Sequence, residues 1–79
     1  MEYIKRELLA KNFNFFHADG FIDWDSSDTN FRISELKNKF GEVRGYSWVI
    51  TTKRSSWTDI MTHDDVIYRI KNNQKSNNN

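Results

Sequence analysis

Arg32-Ile33-Ser34-Glu35-Leu36-Lys37-Asn38-Lys39-Phe40-Gly41 is the stretch on which the fold turns. Ile33, Leu36 and Phe40 are spaced three and four apart, which lines them along one face of a helix, and Gly41 stands where a left-handed residue closes a helix C-terminus. Ahead of it, residues 24–30 are dense in Asp, Ser, Thr and Asn, whose side-chain oxygens cap the free N–H groups of a first turn. The spacing predicts a helix over 29–40, with Ser34, Glu35, Asn38 and Lys39 opposite the stripe and Arg32 and Lys37 on its flanks. With the stripe facing inward, Leu36→Ala is expected to cost ~2 to 5 kcal/mol.

Upstream, Met1, Ile4, Leu8 and Leu9 fall on one face of a helix over 2–11, which Asn12 can end. Phe13, Phe15 and Phe16 admit two readings, an extension of that helix or a strand in which Asn14 alternates with the aromatics. Asp19-Gly20 is a strong turn dipeptide, and Phe21-Ile22 reads as a short strand after it. Downstream, Tyr46, Trp48 and Ile50 alternate with Ser47, Val49 and Thr51, and Val66, Tyr68 and Ile70 alternate with Ile67 and Arg69. This predicts two paired antiparallel strands over 46–52 and 65–70. The segment between them is long for a tight hairpin, and Ser56 to Met61 fits a single helical turn at its tip. From Asn72 onward there is no apolar residue, so 72–79 is expected to be a disordered tail behind a domain over 1–71.

A chain of 79 residues holds one domain at most. It has no cysteine, so disulfides and thiolate metal sites are excluded and the core must come from its aromatic residues, 15% of the chain. The longest purely apolar runs are far short of the ~20 residues that cross a bilayer, and no secretory leader pattern is visible, so a cytoplasmic protein is expected. The net charge of +1 hides an uneven distribution. Residues 1–31 carry −3, residues 32–58 carry +4, and the remainder balances. The positive excess of the middle third is Arg32, Lys37, Lys39, Arg44, Lys53 and Arg54.

The order of helix, short strand, polar turn, helix, strand, long loop and strand resembles the winged helix-turn-helix domains of small phage and prophage proteins. Arg32 to Gly41 is similar to the recognition helix of that family, Gly20-Phe21-Ile22 to its short first strand, and 46–52 with 66–70 to its wing. Only about ten residues separate Ile22 from Ile33, so the family's second helix must be a single turn or missing. The resemblance implies an α+β, winged-helix-like fold of two or three helices with a β-hairpin wing, and a transcriptional or recombination regulator whose partner is double-stranded DNA. In that reading Asn30, Arg32, Ser34 and Asn38 reach base edges in the major groove, while Lys37, Lys39, Arg44, Lys53 and Arg54 neutralise phosphates.

Catalytic chemistry finds little support in the residues. His17 and His63 are the only histidines, and His63-Asp64-Asp65 lacks the three or four ligands of a metal site. Asp19, Asp23, Asp25 and Asp28 lack the glycine and terminal glutamate of a calcium loop. No phosphate-binding glycine loop or nucleophile motif occurs, so neither an enzyme, a cofactor nor a small-molecule substrate is expected. The competing class is a phage-type interaction module that occupies a host protein, with Phe31, Tyr46 and Trp57 as exposed anchors. A contiguous positive face joining Arg32, Lys37, Lys39, Lys53 and Arg54 would favour DNA, and a large exposed aromatic patch a protein partner.

Overall fold

The computed structural model describes residues 1–72. Its elements run α1 (Glu2–Ala10), β1 (Phe15–Ala18), β2 (Phe21–Ser26), β3 (Thr29–Lys37), β4 (Val43–Thr51), β5 (Ser56–Met61) and α2 (His63–Asn72). The five strands form one antiparallel meander in the order β1-β2-β3-β4-β5, so every strand pairs with its neighbours in sequence.

The expected winged helix is overturned. Residues 29–37 form a central strand and not a recognition helix, because a period of two competes with the period of three to four and wins. Phe31, Ile33 and Glu35 face one side of the sheet and Arg32, Ser34 and Leu36 the other, so the supposed stripe is split. Only Ile33 of that stripe is buried; Leu36 is 36% exposed and Phe40 is 75% exposed in the hairpin loop. Gly41 does adopt the left-handed region at φ 80, but it closes a turn between strands. Asn38 organises this turn: its Oδ1 accepts from the N–H groups of Phe40 and Glu42, and its Nδ2 donates to the Glu42 carboxylate at 2.8 Å.

The second expected strand is overturned too. Residues 65–70 lie in α2, where Val66 and Ile70, four apart, are the buried pair. Thr62 caps this helix, its Oγ1 accepting from the Asp65 N–H while the Asp65 carboxylate accepts from the Thr62 N–H, so the last element had to be helical. Ser56–Met61, expected as a helical turn, is β5, and it replaces 65–70 as the partner of 46–51. Asn72 belongs to α2, and 73–79 lies outside the described residues. The expected first helix matches α1, the strand over 46–52 matches β4, and the Asp19-Gly20 turn joins β1 to β2 with Gly20 at φ 88. The open choice for residues 13–24 resolves as a hairpin.

Both helices lie on one face of the sheet. Ile4 and Leu8 of α1, Val66 and Ile70 of α2, and Ile22, Trp24, Ile33, Tyr46, Trp48 and Met61 of the strands form one core with Phe13. The turn into that core is built by Asn12 at φ 64: the N–H of Phe13 donates to the Leu8 carbonyl and that of Asn12 to the Leu9 carbonyl. This left-handed closure brings Phe13 back beneath the helix and onto Trp24, with ring centroids 5.9 Å apart.

Tyr46 is 7% exposed and sits opposite Glu35 on β3. Burial, and then the Glu35 charge, push its phenol above its ordinary value of 10.0. Below that value Tyr46 is protonated in both folded and unfolded chains; above it the unfolded chain releases its proton first, so stability falls as pH rises. Denaturant titrations across alkaline pH are expected to show this decline, and Tyr46→Phe to make it shallower. An unchanged slope in that variant would count against it.

Candidate functional site

Alternation along the strands gives the sheet a second face. Directly paired residues share a face, so Phe16, Asp23, Arg32, Val49 and Thr58 form one row across it. Ala18, Phe21, Ser34, Ser47 and Ile60 form the next, and Leu36 stands opposite Gly45 beyond them. None of these residues belongs to the core, because the helices cover the opposite side. Phe16 is 62% and Ile60 68% exposed.

On this outer face Arg32 neutralises Asp23, while Asp25 receives the neutral amide of Asn30. The Arg32 guanidinium holds the Asp23 carboxylate at 3.0 Å and lies over the Phe21 ring, 4.2 Å from its centroid. Asn30 donates through Nδ2 to the carboxylates of Asp23 and Asp25 and to the Trp24 carbonyl. Two expected base readers are thus engaged within the sheet, and the third, Asn38, is occupied in its turn. Ser34 lies in the middle of the outer face. No helix presents the four together.

The expected phosphate contacts are not brought together either. Lys37 ends β3 with its Nζ 3.7 Å from Glu35, Lys39 lies over the Phe40 ring in the β3–β4 loop, and Arg44 is exposed at the start of β4. Lys53 and Arg54 occupy the β4–β5 loop at the far end of β4, a separation of roughly 25 to 30 Å at ~3.3 Å per residue. That loop is shaped by Thr52, whose Oγ1 accepts from the N–H groups of Arg54 and Ser55. Of the positive excess read in sequence, Arg32 is paired within the sheet, and the other five cations divide into two groups, Lys37, Lys39 and Arg44 at one end of β4 and Lys53 and Arg54 at the other.

Of the three expected aromatic anchors, only Trp57 is exposed, at 48%; Tyr46 is in the core and Phe31 packs against it. The outer-face residues escape a reading of the sequence because a helical spacing runs across their middle strand. The signal was present in Phe31, which does not fit the helical stripe but alternates correctly with Ile33. His63 lies between the rings of Tyr3 and Tyr46, each at 5.9 Å, and no group of three or more His, Asp or Glu is placed to hold a metal among the described residues. No helix among them is long and apolar enough to cross a membrane.

The chain matches no protein-family model, no curated protein and no solved structure.

Proposed function

We propose that the protein is an interaction module that binds a partner protein through the outer face of its sheet. The observation carrying this reading is a five-stranded surface bearing Phe16, Phe21, Leu36, Val49 and Ile60, on which Arg32 and Asp23 are matched to each other. A surface of this kind fits an apolar patch of another protein, because its contact energy comes from burying those side chains and its Arg32 and Asp23 charges already satisfy each other. A duplex-binding surface depends on unmatched cations spread along a phosphate track. Here the cations of the middle third other than Arg32 divide between opposite ends of β4, which favours the protein partner over double-stranded DNA.

Site-specific photo-crosslinking in the producing cell tests this. A benzophenone side chain at Ser34 or Ser47, in the centre of the outer face, is expected to yield one discrete protein adduct. The same group at Arg6 on α1 is expected to yield none, and Val49→Lys should abolish the Ser47 adduct. Equal labelling from all three positions would overturn the reading. So would binding of the purified protein to duplex DNA at low salt that is lost on reversing Lys53 and Arg54 to Glu.

A further inference from the structure

The sheet ends at β5, and this edge differs from the other. The edge strand β1 is four residues long, whereas β5 is a regular six-residue strand, Ser56-Trp57-Thr58-Asp59-Ile60-Met61, of which only Met61 is buried. Among the devices by which edge strands avoid pairing, β5 has no lysine, proline or bulge, and its one inward-facing charge, Asp59, is held by Arg69 at 2.8 Å. Trp57 and Ile60 instead leave it apolar on both faces. Beside it runs a groove of about 460 Å³ between the strand and α2, lined by Asp59, Met61, Asp65, Tyr68 and Arg69 among others.

We propose that β5 pairs antiparallel with β5 of a second copy, joining two sheets into one of ten strands about a two-fold axis. The occupant follows from the strand's own pattern. In an antiparallel pair, directly opposed residues must point to the same face, so a self-pairing strand can centre only on one of its own residues. Centring on Trp57 or Ile60 pairs only three residues of the strand, and centring on Asp59 sets two carboxylates against each other, which is unfavourable. Centring on Thr58 opposes Thr58 to its own copy, Ile60 to the partner's Ser56, and Asp59 to the partner's Trp57.

This last pairing also explains the groove. Trp57 faces the helix side of the sheet, so across the two-fold its half-exposed indole enters the groove beside Asp59. There the Arg69 guanidinium, held to Asp59 at 2.8 Å, and the 70% exposed Tyr68 offer a cation and a ring to an aromatic face. The knob and the hole lie on the same strand in each copy, as a closed two-fold contact requires. The pairing uses the sheet edge and is independent of a partner on the outer face.

Sedimentation of the purified full chain from about 1 µM to about 100 µM spans the affinity of a contact this size. The mass is expected to rise with concentration to twice that of the chain. Thr58→Lys, which sets two ammonium groups opposite one another, is expected to give a folded monomer, verified by an unchanged far-UV spectrum. Phe16→Lys on the other edge should leave the dimer intact. Trp57→Ala should weaken association by about tenfold or more, as for a central aromatic anchor. Because the chain has no cysteine, the register reads out directly. Thr58→Cys should form a disulfide-linked dimer under mild oxidation, whereas Ile60→Cys should not cross-link with itself. A monomer at every concentration, a dimer indifferent to Thr58→Lys, or faster self-linking through Ile60→Cys would overturn the proposal.

Discussion

Trp48→Ala is expected to remove ~3 to 5 kcal/mol of the domain's stability. Trp48 is 1% exposed in the middle of β4, edge-on to Trp24 at 5.6 Å and to Phe31 at 6.0 Å, with the Arg69 guanidinium 5.3 Å from its ring. Removing a buried indole costs ~3 to 5 kcal/mol, because the neighbours close only part of the cavity. At the usual ~0.05 to 0.15 kcal/mol per residue, a chain of this size has about 4 to 12 kcal/mol in all. Trp48→Phe is a useful companion, since Nε1 has no hydrogen-bond partner among the described residues and the exchange gives up ring area but no hydrogen bond. Leu36→Ala, expected from the helical stripe to cost as much as a core deletion, should instead cost under about 1 kcal/mol, because Leu36 lies on the open face. Urea titrations of the three variants check the order. Equal losses for Leu36→Ala and Trp48→Ala would contradict the assigned faces.

The other large effect is expected at the helix pair. Leu8 is fully buried, packs in the core with Ile4, Val66 and Ile70, and supplies the carbonyl that receives the Phe13 N–H where α1 turns into β1. Leu8→Ala should cost ~2 to 5 kcal/mol. Leu9→Ala, one position along and 62% exposed, should cost little beyond the noise of surface substitutions, ~0.5 kcal/mol. Thermal melts of the two variants separate them, and a shared melting temperature would contradict the inward assignment of Leu8.

The parts of the fold legible in the sequence are those where period and residue type agreed. Ile4 and Leu8 sit among good helix formers, and the alternation of Tyr46, Trp48 and Ile50 is carried by aromatic and β-branched residues that favour strands, so α1 and β4 could be read directly. Residues 31–40 carried both periods. Ile33, Leu36 and Phe40 imitate a stripe, and Asn38 to Gly41 imitate a helix end because a left-handed glycine closes helices and hairpins alike. Val66, Tyr68 and Ile70 posed the converse problem, alternating like a strand while Val66 and Ile70 shared a helical face. The Thr62 to Asp65 capping box was the local signal that decided it. The outer face was not legible, because its rows join residues of five strands and exist only once the register is set. The charge segregation was real along the chain but not in space, since a nine-residue strand carries its two ends far apart.

The sequential pairing of the strands also bears on how fast the domain forms and comes apart. Each of the four hairpins joins segments adjacent in sequence, so their closure loses little chain entropy, and the loop locked by Asn38 is a natural nucleus for β3 and β4. The docking of α1 on α2, bridged by Glu7 and Lys71 at 4.0 Å, joins the first element to the last and is the most distant closure in the molecule. It should come after the rate-limiting barrier. Leu8→Ala is then expected to accelerate unfolding while leaving the refolding rate nearly unchanged, and the two limbs of a stopped-flow chevron would show it.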